Sequence, residues 1–174
     1  MGKPNEIAFG HGRGWVEARI KELTDGLAAV PDGNKVFTAF VQSSISIGAV
    51  ANDIPWGNPQ ISTLGVTYDV TDTILTLPTV AAGSILRFDW QIKAENATNL
   101  MEMVTQFQIN GVTELVSSNL VTAGASGMVS GGLTAFWIHE HAANDSYRWR
   151  VRRDGPGAAN IDRDQSTLAI TKLS

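Results

Sequence analysis

The segment TLPTVAAGSILRFDWQIK, residues 76–93, alternates in its second half with a period of two. Leu86, Phe88, Trp90 and Ile92 fall on one side of an extended backbone, and Arg87, Asp89, Gln91 and Lys93 on the other. Successive side chains leave a strand on opposite faces, so this pattern marks a strand with one buried face. Pro78 to Gly83 supply the turn that delivers the chain into it. The stretch therefore predicts the central strand of an antiparallel β domain.

Working outward, further strands are expected at residues 36–47, 61–70, 73–77, 100–109, 112–117, 133–141, 146–152 and 167–173. Asn110-Gly111 between two of these is a hairpin signal, because a tight two-residue turn needs positive φ at both positions. In the strand before it, Met101, Met103, Phe107 and Ile109 share a face, opposed by Glu102, Gln106 and Gln108. Pro55, Trp56, Gly57 and Pro59 mark residues 48–60 as an irregular loop. Residues 117–131 are rich in Gly, Ser and Ala and hold one more short strand at most. The runs 133–141 and 146–152 read as a pair joined across 142–145, and 154–164 as a last loop. About eight strands with turns between them and no intervening helices predict an all-β sandwich or barrel.

The N-terminal part reads differently. Gly2, Gly10, Gly12 and Gly14 make residues 1–14 an extended arm. Between residues 15 and 29, Val16, Ile20, Leu23 and Leu27 form a helical stripe, and Glu17 and Lys21 are an i,i+4 pair in the favourable order. Gly26 weakens the end and Pro31-Asp32-Gly33 stops it. The expected organisation is an arm and short amphipathic helix over 1–34, followed by a β domain over 35–174.

Composition narrows the function classes. With 43% hydrophobic and 17% charged residues, the 174-residue chain is globular and can bury a core. Its net charge of −4 argues against an electrostatic grip on nucleic acid or an anionic membrane. It has no cysteine, hence no disulfide or thiolate metal site. No apolar run approaches the ~20 residues of a membrane-spanning helix. The N-terminus lacks the apolar segment of a secretion signal, so the expected origin is a cytoplasm. Asn96-Ala97-Thr98 and Asn144-Asp145-Ser146 are then chance sequons.

The order of features resembles the jelly-roll domain shared by complement C1q heads and tumour necrosis factor (TNF) ligands. YDVTDTILTLPTVAAGSILRFDWQI (68–92) resembles the family's strand and proline–glycine entry, with Leu86 and Phe88 in the aromatic positions. MEMVTQFQINGVTE (101–114) is similar to its central strand ending in Asn-Gly. SYRWRVRR (146–153) resembles its late strand, and STLAITKL (166–173) its closing strand. The resemblance covers roughly residues 35–174. It departs from the pattern in the displaced aromatics Phe88 and Trp90, and no collagen-like stalk precedes it. Tailed-bacteriophage virion proteins use such domains too, as capsid decoration (cement) proteins, head fibres and tail-fibre tips. The resemblance implies a homotrimer and a virion location. An arm and helix ahead of one jelly roll look most like a decoration protein held on the major capsid protein. The alternative is a receptor- or glycan-binding fibre tip, which predicts exposed aromatics on residues 53–60 and 155–160.

Few constellations suggest chemistry. On a strand His139 and His141 share a face, but two ligands are too few for a metal and Glu140 points away. The pair reads as a polar strand face near a loop. Arg148, Arg150 and Arg152 line one side of their strand, opposite Tyr147, Trp149 and Val151. They fit either an interface with carboxylates of a neighbour or a solvated face whose stems cover apolar edges. Of five tryptophans, Trp90 and Trp149 are core by pattern. Trp15, with Val16, Ile20 and Leu23, docks either on a neighbouring subunit or within the chain. Asp69, Asp72, Asp162 and Asp164 lie in turns, where Asp is ordinary. No nucleophile elbow, phosphate-binding loop or zinc-protease motif is present, so neither an enzyme nor a cofactor is expected.

Overall fold

The strand expected at 85–93 runs from Ile85 to Glu95 in the computed structural model, which describes residues 36–69, 71, 73–122 and 129–174. The arm and helix expected over 1–34, with Trp15, Val16, Ile20 and Leu23, lie outside the described residues, as does Asp72. Among the described residues twelve strands follow one another: β1 Val36–Val41, β2 Asn52–Asp53, β3 Trp56–Ser62, β4 Thr67–Tyr68, β5 Ile74–Thr76, β6 Ile85–Glu95, β7 Met101–Ile109, β8 Val112–Val121, β9 Val129–Glu140, β10 Ser146–Asp154, β11 Asn160–Ile161 and β12 Thr167–Lys172. They form two antiparallel sheets. In the first, β6 carries β9 on one side and β11 and β12 end to end on the other, and β12 leads on to β1 and β3. The second has the order β4-β5-β10-β7-β8, with β2 beside β5 along β10.

The predicted alternation of β6 holds. Leu86, Phe88 and Ile92 are fully buried and Trp90 nearly so, while Arg87, Asp89, Gln91 and Lys93 face outward. Their counterparts across the sandwich are Phe107 on β7 and Tyr147, Trp149 and Val151 on β10, all buried. Phe88 sits 4.7 Å from the Tyr147 ring and 5.1 Å from Phe107, and Trp149 lies 4.9 Å from Phe107. Tilted rings at such spacings add specific attraction to the area they bury. Phe88→Ala should therefore cost ~3–5 kcal/mol of stability, read from a denaturant midpoint.

Five expectations are corrected. The loop expected at 48–60 contains β2 and most of β3, and Trp56 is fully buried. β3 is an edge strand whose register against β1 shifts twice around Ala39, which is how it accommodates Pro59. The run 133–141 does not pair with 146–152: β9 bonds to β6 and β10 to β7, so residues 142–145 cross from one sheet to the other. Gln108, expected on an outward face, is buried and donates to the Thr113 hydroxyl at 3.1 Å. The expected strand at 36–47 ends at Val41, and the 154–164 loop contains β11. Asn110-Gly111 does close the β7–β8 hairpin, with φ of 51° and 81°.

Candidate functional site

The outward face of the first sheet is built by simple alternation, and register aligns its residues in rows. One row reads Val36, Thr171, Arg87, Ile138, and the next reads Ile61, Thr38, Ala169, Asp89, Phe136. Short threonine and alanine side chains floor the middle of this face over β1 and β12. Larger apolar side chains stand at its two sides, with Ile61 48%, Phe136 56% and Ile138 50% exposed. The Arg87 guanidinium lies 5.1 Å from the centre of the Phe136 ring and binds Asp89 at 2.7 Å. That pairing holds the aromatic ring up beside a fixed charge pair. An exposed apolar patch of this kind, bounded by polar groups, is the ordinary mark of a contact surface.

The three arginines occupy the outward side of the second sheet, as alternation with the buried Tyr147, Trp149 and Val151 requires. All three are tied within the chain. Arg150 donates to Asp53 at 2.9 Å and to the Ala51 carbonyl at 2.9 Å. Arg148 approaches the other oxygen of Asp53 at 3.8 Å, and Arg152 bonds to Asp154. The short strand β2 exists opposite Arg150 and Val151 and places Asp53 between two guanidinium groups. Sequence reasoning missed Asp53 because it placed that residue in an irregular loop.

His139 and His141 converge on a residue that the sequence did not single out. Asp145, at the end of the sheet-crossing connection, takes His139 Nε2 at 2.8 Å and the Ala142 N–H at 2.7 Å on one oxygen. Its other oxygen accepts from the Asn110 amide at 2.7 Å. His141 is almost fully buried, with Nδ1 at 2.6 Å from the Tyr147 hydroxyl and 3.8 Å from Asp145. Burial pushes the His141 ring below the ordinary histidine range, against the opposing pull of the Asp145 charge. Burial acts on Asp145 in the upward direction, but the hydrogen bonds from His139, Ala142 and Asn110 outweigh it and hold the carboxyl low. Burial raises the Tyr147 phenol, which stays protonated. Among the described residues no group of three or more His, Cys, Asp or Glu side chains could hold a metal ion.

No protein-family model matches the sequence, and neither does any curated protein. Solved structures do match. Murine APRIL at pH 8.5 superposes with a TM-score of 0.55 and 14% identity, over 80% of this chain and 98% of that chain. The same protein at pH 5.0 gives 0.54 and 13% over the same shares. Eiger TNF from S. frugiperda gives 0.47 and 14%, over 81% of this chain and 92% of that chain. The fold is a TNF-like jelly roll. At these identities the likeness concerns the fold alone.

Proposed function

We propose that the protein is a non-enzymatic structural module, a trimeric capsid decoration (cement) protein that binds the outside of a tailed-phage shell and stabilises it. The observation that carries the assembly part is the outward face of the first sheet. It bears two unlike apolar patches, one at the exposed Phe136 and Ile138 and one at the exposed Ile61 with the half-buried Val36 and Phe40 beside the Thr38–Ala169 floor. One patch that meets a different patch on the next copy makes a head-to-tail contact, and such contacts form a ring where the rotation between copies closes. A trimer is the ring that the TNF-like resemblance implies. Sedimentation of the purified protein at micromolar concentration tests it, and a monomer there overturns it.

The decoration role rests on the amphipathic segment before Pro31, which would anchor the trimer to the major capsid protein. Stable anchoring calls for roughly 1,000 Å² or more of buried area per site. Deleting residues 1–30 should leave a folded trimer that no longer attaches to shells, and full decoration by the truncated trimer would exclude the anchoring role. The fibre-tip alternative expected exposed aromatics on residues 53–60 and 155–160. Trp56 is instead fully buried, and the second segment contains no aromatic residue. That difference favours decoration, and a copy number in the hundreds per particle is its expected signature.

A further inference from the structure

The turn between β7 and β8 holds the one Asn-Gly pair of the chain, Asn110-Gly111. Asparagine is a thermolabile residue, and it is most labile before glycine for a steric reason. Deamidation needs the backbone nitrogen of the next residue to attack the side-chain Cγ, and glycine has no side chain to crowd that nitrogen. Both residues are exposed, and a Cβ placed on Gly111 would meet no atom within 4 Å. Water and hydroxide therefore reach the pair. Asn96 and Asn144 share its positive φ but precede Ala97 and Asp145, whose Cβ atoms hinder the attacking nitrogen.

What restrains Asn110 is the grip on its side chain. Nδ2 donates to Asp145 Oδ1 at 2.7 Å, while Oδ1 accepts the Ser146 N–H at 2.9 Å and the Ser146 hydroxyl at 3.3 Å. An ionised carboxylate only accepts and a backbone N–H only donates, so these partners fix which end of the amide is which. The Asn110 N–H also donates to the Ser146 carbonyl at 2.9 Å. Ring closure turns the amide about its Cα–Cβ and Cβ–Cγ bonds until Cγ meets the Gly111 nitrogen. Both amide atoms must leave their partners on the way, and the bond to the charged Asp145 is the costliest to give up.

We propose that Asn110 is a deamidation site that the native fold closes, and that a chain deamidated while open folds to a weaker state. The Gly111 nitrogen bonds to Cγ, the side-chain nitrogen leaves with the Gly111 amide hydrogen as ammonia, and a cyclic succinimide remains. Water then opens the ring. Attack at Cγ breaks the bond from Cγ to the Gly111 nitrogen and gives aspartate. Attack at the Asn110 backbone carbonyl breaks its bond to the same nitrogen and gives isoaspartate, with the main chain rerouted through the side chain. Aspartate sets a carboxylate oxygen where Nδ2 lay, 2.7 Å from the charged Asp145. Isoaspartate adds a methylene to the two-residue turn that sets the β7–β8 register. Either product deprives Asp145 of a donor, and Asp145 also binds His139 and the Ala142 N–H.

The test is to age the full chain at pH 7.5, native and in concentrated urea, and to sequence residues 103–114 by mass spectrometry after cleavage at Glu102 and Glu114. Modification of Asn110 should run at least about tenfold slower in the native protein, because it awaits a local opening of the turn. Asp145→Ala should bring the native rate towards the rate in urea. If D145A does not fold, Ser146→Ala takes its place and should give a smaller rise. Equal rates in native and unfolded wild type, or a native rate that the folded variant leaves unmoved, overturn the closure. For the second half, partly modified chains are refolded by dilution and given a brief protease pulse near the urea midpoint of wild type. The ratio of folded to unfolded chains should be at least about tenfold lower for the modified form, as for one lost charge-assisted bond. Equal survival overturns the weakening. If the aged chains do not refold, Asn110→Asp is compared with Asn110→Gly, which keeps the turn without the amide. N110D should then unfold at lower urea than N110G or fail to fold where N110G succeeds, and any other outcome overturns it.

Discussion

The two outward faces of the sandwich obey one rule of alternation and end in opposite chemical states. On the second sheet, Arg148, Arg150 and Arg152 all find partners inside the chain, two of them on the single carboxylate of Asp53. On the first sheet, Phe136 and Ile138 stay half exposed beside the Arg87–Asp89 pair. The arginine row is already neutralised. Among the described residues, the apolar area still open to water lies at Phe136 and Ile138 on the first sheet and, on the second, only at the edge strand β8, where Val116 and Leu120 are exposed. The difference teaches that a row of arginines in a sequence is no measure of free charge. The surface with binding free energy still in hand is the less conspicuous one.

This contrast can be broken by experiment. Replacing Phe136 and Ile138 together by Asp should weaken self-association at least ~100-fold, because two central anchors are lost and two charges would be buried. Sedimentation velocity reads the effect, and an unchanged thermal midpoint of the monomer shows that the fold survives. A double variant that still sediments as a trimer would move the contact elsewhere. Asp53→Asn should cost ~1 kcal/mol in a urea titration, since it leaves two half-exposed guanidinium groups without their carboxylate. The cost should shrink at 1 M salt, where exposed charges are screened. The smallest effect is expected from Arg152→Ala, within about 0.5 kcal/mol of wild type. If that change instead abolished assembly at unchanged stability, the arginine face would regain its place as an interface.

How much of this was legible in the sequence depended on whether the deciding contacts were local. β6 was plain because one face is buried throughout, so its period of two survives. β7 was less so: it lies inside the second sheet, and both Val104 and Gln108 on its outward side are buried. β3 was hidden by Pro55, Gly57 and Pro59, which ordinarily mark loops but are tolerated on a bulged edge. His139 and His141 were seen to share a face. Their joint partner Asp145 was out of reach because residues 142–145 were taken for a hairpin within one sheet. Asn110 was recognised as a turn residue, yet its bond to Asp145 spans 35 positions, and no local pattern encodes such a pairing.

The place of β12 has a consequence for how the protein comes into being. It lies between β6 and β1, pairing Leu168 with Trp90 on one side and with Ala39 on the other. The ribosome makes it last of the twelve described strands, so until then β1 and β6 each wait with an open edge. The first sheet cannot close until residues 167–172 emerge, which places the fold among slow, high-contact-order topologies. A ribosome stalled before Thr167 would hold out two apolar strands with a gap between them, and that gap is a ready site for a chaperone or for a neighbouring nascent chain.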